Sequence, residues 1–80
     1  MQSDEIKTRL TPIFRTVFSN DALVIQENMT TDDVPKWDSL SHINLIIAVE
    51  RAFGVKFTIR DSRSMKNVGE LIELIKKKAG

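Results

Sequence analysis

The 80-residue chain contains no cysteine. That absence excludes a disulfide framework, a cysteine-based zinc site and thiol catalysis by the polypeptide. No apolar run approaches the roughly 20 residues that a membrane-spanning helix needs. The first ten residues, MQSDEIKTRL, lack the basic-then-apolar layout of a secretory signal. A cytoplasmic, non-inserted monomer is therefore expected. A strong charge of one sign is also missing, since the formal net charge is +1. Residues 1–35 hold six acids and three bases, residues 36–60 two and four, and residues 61–80 three and five. No clustered basic face results, so no nucleic-acid partner is expected. The one dense basic run, Lys76-Lys77-Lys78, is best read as a helix C-terminus complementing the backbone dipole. Repeats and low-complexity tracts are absent as well.

What the chain does have is helical periodicity. In residues 4–18, Ile6, Leu10, Ile13, Phe14, Val17 and Phe18 recur at helical spacing. Ser3 is the expected N-cap, with Asp4 and Glu5 favourable in the first turn. Pro12 falls inside this helix, where a proline removes a hydrogen bond and costs about 3 kcal/mol. Either the helix kinks there, which is the preferred reading, or it splits and Thr11 caps a second piece. Residues 19–37 show no sustained period. They read as a long loop with turn formers at both ends, Pro35 near its end, and an apolar patch from Ala22 to Ile25 that packs back on the helices.

A second helix is expected over 39–53, burying Ile43, Ile46, Val49, Ala52 and Phe53, with Leu45 beside them. Phe53 is taken as a core aromatic whose truncation would cost about 3–5 kcal/mol. Gly54 suits the left-handed stop, with Val55 as its hydrophobic partner. Residues 55–58 look extended. Thr58 and Asp61 fit a capping box for a short helix over 60–65, and Asn67 with Glu70 repeats that logic for a helix over 68–78. Val68, Leu71, Ile72 and Ile75 face inward there, with Leu74 alongside. The chain is thus expected to be one all-α domain, residues 1–80: a small bundle of three main helices and one short one.

The stretch WDSLSHINLIIAVERAFG, residues 37–54, carries the functional question, which is the role of Ser39. Asp38 can cap the helix alone, and Ser39 then falls in the first turn with its hydroxyl toward solvent. On that reading it has no further role. A helix N-terminus is also a favourable place for a phosphate group, so Ser39 suits a phosphodiester. Nucleophilic catalysis is the competing use. Ser39 and His42 share a helix face, but there is no G-x-S-x-G elbow and no evident group to orient the histidine. No catalytic residue is assigned. His42, the only histidine, is expected to be solvated. Asp32, Asp33 and Asp38 lack calcium-loop spacing, and no metal is assigned to them.

Asp38-Ser39-Leu40, at the head of a helix patterned by Ile43, Leu45, Val49, Glu50 and Phe53, resembles the acyl carrier protein family. The later V-x-F stretch and NVGELIELI sit at the family's spacing, and the resemblance covers essentially the whole chain. It implies a non-catalytic carrier. A phosphopantetheinyl transferase moves 4′-phosphopantetheine from coenzyme A onto Ser39, within the motif Asp38-Ser39-Leu40. The arm's thiol then carries acyl groups as thioesters to loading, transfer or synthase enzymes. Leu40, Ser41, Asn44, Ile47 and Arg51 are expected to form the partner face beside Ser39. Ile43, Ile46, Phe57 and Met65 are the residues that would line an acyl chain slipped between the helices, and the sequence leaves open whether such a cavity exists. Carriers of the fatty-acid-synthase type are strongly acidic along this helix. Here Ser41 and Asn44 stand where acids are usual and Arg51 is basic, which points to a specialised fatty-acyl, polyketide, peptide or surface-polysaccharide pathway. The alternative is a carrier-like interaction module that is never loaded.

Overall fold

A computed structural model of the protein describes residues 2–34 and 36–79. It contains four helices, α1 (Ser3–Val17), α2 (Ser39–Phe53), α3 (Ile59–Ser64) and α4 (Val68–Ala79), and no strand among the described residues. Pro35, the turn former expected near the end of the long loop, lies outside the described residues.

The helix starts follow from side-chain chemistry, with one exception. Asp38 caps α2 by accepting from the Ser41 N–H. Thr58 and Asp61 form a reciprocal capping box on α3. Asn67 accepts from the Glu70 N–H at the head of α4, and the Glu70 carboxylate accepts from the Lys66 N–H. Two further N–H groups there, those of Val68 and Gly69, donate to the loop carbonyls of Met29 and Glu27. The long loop thus supplies bonds that an isolated helix end would lack. The exception is α1. Its N-cap is Gln2, with no side-chain cap bond, and Ser3 is already helical. Asp4 and Glu5 in the first turn still oppose the helix dipole there.

Proline does not split α1, which is one segment through Pro12. Pro12 lies on the exposed side, so the Thr8 carbonyl that it leaves without a donor is on the wet side of the helix. Thr11 caps nothing, because its hydroxyl donates to the Lys7 carbonyl within the helix. At the other end of α2, Gly54 adopts φ 66°, ψ 35°, the left-handed stop that glycine tolerates without penalty.

The core is a layer shared by α1, α2, α4 and the loop. Ile6, Leu10, Phe14 and Phe18 meet Leu45 and Val49 of α2, and Val68, Leu71, Ile72 and Ile75 of α4. The loop contributes Leu23, Ile25, Val34 and Trp37, which turn it into a packed wall. Phe14, Phe18 and Trp37 form a ring cluster with centroids 5.6–5.7 Å apart.

The buried side of α2 differs from the expected one. Ile43 is 55% exposed, Ala52 is exposed, and Phe53 is only partly buried. The inward residues are Leu45, Ile46 and Val49. The helix carries apolar residues on nearly every side, so periodicity alone leaves its rotation open. Phe53 instead packs at the edge, under the Arg9 guanidinium at 4.3 Å, while Arg9 also donates to the Ala52 carbonyl at 2.7 Å.

Candidate functional site

Asp38 fixes where α2 begins. Its Oδ1 accepts from the Ser41 N–H at 2.9 Å. The Ser41 hydroxyl lies 2.5 Å from the Lys36 carbonyl and 3.0 Å from the same Oδ1. These Ser41 donors, the backbone N–H first, hold the Asp38 carboxyl below the ordinary carboxylate range. Lys36 itself adopts φ 72°, a left-handed backbone, and this turn brings its carbonyl to Ser41.

Ser39 is the first residue of α2 and is exposed. Its hydroxyl has no hydrogen-bond partner among the described residues, whereas that of neighbouring Ser41 is engaged. This difference separates the two serines chemically. Ser41 supports the cap, and Ser39 presents an accessible oxygen beside the positive end of a 15-residue helix.

Ser39 opens onto a surface groove between α2 and α3. Trp37, His42, Ile43, Ser62, Arg63 and Met65 line it. Arg63 is the one cationic residue among those lining the groove, and Asp38 the one acid. A phosphodiester on Ser39 fits these surroundings. The oxygen is free, helix N–H groups are close, and a guanidinium shares the groove. Of the four residues named as the lining of a chain between the helices, Ile43 and Met65 line this groove, Ile46 is buried, and Phe57 packs half-buried against the core.

His42 is not the solvated residue that the sequence suggested. Its ring lies 21° from the Trp37 plane, and Trp37 Nε1 donates to His42 Nδ1 at 3.1 Å. Indole is only a donor, so Nδ1 must accept and Nε2 carries the hydrogen. Nε2 lies 3.0 Å from the Ser62 carbonyl of α3, to which it donates. The signal for this was available in the spacing, because His42 falls on the same face as Leu45, Ile46 and Val49.

The expected partner face divides. Leu40 is 69% exposed and Ile47 43% exposed, and Asn44 and Arg51 are exposed. Ser41 is partly buried and its hydroxyl is taken up by the cap. Ile43, expected in the core, joins Leu40 and Ile47 in an outward apolar stripe. Asp33 accepts from the Thr30 N–H in a loop turn, and among the described residues no cluster of acids, histidines or cysteines is arranged to hold a metal.

No protein-family model matches the chain. Individual proteins do. A curated acyl carrier protein of Acidothermus cellulolyticus is 32% identical over 76 residues, covering 94% of this chain and 89% of the relative. The solution structure of a holo acyl carrier protein from Geobacter metallireducens superposes with a TM-score of 0.83 at 44% identity, covering 89% of this chain and 82% of the other. Fold, identity and coverage together place the chain in the acyl carrier protein family.

Proposed function

We propose that Ser39 is the attachment point of 4′-phosphopantetheine, and that the chain carries acyl groups as thioesters on that arm. The observation that carries this reading is the free, exposed Ser39 hydroxyl next to a fully built Asp38 cap. The serine that the cap needs is Ser41, so capping does not explain Ser39. The Geobacter relative is a holo form, which supports a prosthetic group in this family.

The arm supplies a terminal thiol, the group that these 80 residues lack. The chain's own residues hold and orient it. Ser39 Oγ forms the ester to phosphorus, replacing one bond of the phosphoanhydride in coenzyme A, whose nucleotide part leaves. The N–H groups at the start of α2 and the Arg63 guanidinium oppose the negative charge of the diester. Asp38 keeps the helix start in register. No group for acid–base catalysis is needed on this chain, because the transferase and the acyl-handling enzymes supply it.

Leu40, Ile43, Asn44, Ile47 and Arg51 form the face that meets those enzymes. Glu50, the one acid within α2, is turned to the Phe57 N–H at 2.8 Å. The exposed face of α2 is therefore apolar and basic. That pattern favours a carrier with dedicated partners in a specialised fatty-acyl, polyketide, peptide or surface-polysaccharide pathway, since docking draws on charge complementarity.

Loading tests the reading. Purified protein incubated with coenzyme A and a broad-specificity phosphopantetheinyl transferase gains the mass of one phosphopantetheine, and Ser39→Ala gains none. Equal masses before and after, in both proteins, refute it.

A further inference from the structure

The shortest helix of the fold lies next to the proposed attachment site. Helix α3 has six residues and buries none of them. Two side-chain contacts among the described residues tie it to other helices. Lys78 of α4 pairs with Asp61 at 3.0 Å, and the His42 ring of α2 donates to the Ser62 carbonyl. Apolar residues lie next along α2 and flank α3. Ile46 lies one turn beyond His42 on α2, and Phe57 and Met65, which flank α3, pack half-buried against the core. Ser39, His42, Ser62 and Met65 line one groove. The His42–Ser62 bond thus ties α2 to α3 within the groove that Ser39 shares.

That bond is not a loose surface contact. The imidazole is held at both nitrogens, by the Trp37 indole on one side and the Ser62 carbonyl on the other. Trp37 is itself locked in the Phe14–Phe18 ring cluster. Displacing the ring leaves a half-buried indole N–H and a helix carbonyl without partners, a cost that a hydrogen-bonded pair does not bear. The chain Trp37–His42–Ser62 is thus a rigid crossbar from loop to α2 to α3, standing where cargo would enter.

We propose that His42 determines which acyl groups this carrier shelters: the crossbar keeps the α2–α3 seam shut, so short acyl groups ride on the arm in the open groove and longer apolar chains are not taken inside. This rests on the attachment reading, and it assigns His42 a specificity role that neither capping nor core packing requires.

The test compares two cargoes on the same protein. Ser39 is loaded from acetyl- and octanoyl-coenzyme A, intact mass verifies each product, and both are melted. The wild-type acetyl and octanoyl forms are expected to melt within about 1 °C of each other, with the Leu45 and Ile46 amide resonances unmoved. In His42→Ala the octanoyl form is expected to melt about 4 °C or more above its own acetyl form, because a chain that enters the seam binds only the folded state. His42→Gln, which keeps an acceptor for Trp37 and a donor for Ser62, is expected to behave as wild type. A wild-type octanoyl form that is already stabilised, with shifted Leu45 and Ile46 resonances, overturns the proposal even if His42→Ala fails to fold. So does a His42→Ala protein whose two forms melt alike. Failure of the attachment reading shows separately, as no mass gain at the loading step, and removes the proposal with it.

Discussion

At the scale of single residues, burial decides what each side chain is worth. Phe14 is fully buried in the ring cluster, whereas Phe53 sits half-buried under Arg9. Phe14→Ala is expected to cost about 3–5 kcal/mol, and Phe53→Ala about 1–2 kcal/mol. Urea denaturation of the two variants checks the order, and equal losses would mean that α2 is rotated from the orientation described. Asp38 and Asp61 are the residues that connect stability to pH. The Ser41 N–H lowers the folded-state pKa of Asp38, and the Thr58 N–H followed by Lys78 lowers that of Asp61. Both carboxylates therefore contribute stability that is present above the ordinary carboxylate value of about 4 and lost as pH falls through their lower folded values. Asp38→Asn and Asp61→Asn should each flatten the fall in melting temperature as pH drops below about 4. An unchanged acid profile would show that the caps are not formed in solution.

At the scale of elements, α2 is terminated by backbone strain that only glycine escapes. A Cβ on Gly54 would meet nothing within 4 Å, so crowding plays no part and only its φ of 66° matters. Gly54→Ala should therefore lower stability by about 1 kcal/mol, read from the urea midpoint at unchanged slope. Sequence and structure agree best on features of this local kind. The Asp38 cap, the Gly54 stop, the Thr58–Asp61 box and the inward face of α4 each follow from neighbouring residues. The rotation of α2 does not. Leu40, Ile43, Leu45, Ile46, Ile47 and Val49 leave no clean polar side, and the choice among them depends on α1 and on where the loop brings Trp37. The face of His42 was readable from its spacing with Leu45, Ile46 and Val49, but its two partners were not, since they lie five residues before it and twenty after it. The position of Ser39 in the first turn of α2 was legible because the Asp38 cap is local. The groove that Ser39 opens onto was not, because Arg63 and Met65 reach it only through the path of the chain around α3.

At the scale of the whole molecule, the fold divides into a packed half and an open one. Helix α1 packs against both α2 and α4, and the loop closes the core with Trp37. Around α3 the structure is thin, and Ser39, the Trp37–His42–Ser62 hydrogen bonds and Ile43 of the apolar stripe gather there. This is an economical layout for a carrier. The stable half keeps the serine in place, while the groove and the outward face of α2 remain open to other proteins. The 80 residues supply no thiol of their own, so a thiol reagent should label the protein only after loading, with a stoichiometry of one. Tandem mass spectrometry of the peptide spanning residues 37–51 reaches the attachment itself. After exposure to coenzyme A and a transferase that modifies a second carrier in the same tube, the fragment series should assign one phosphopantetheine to Ser39. An unmodified peptide beside a fully modified control, or a modification on Ser41, would contradict the assignment.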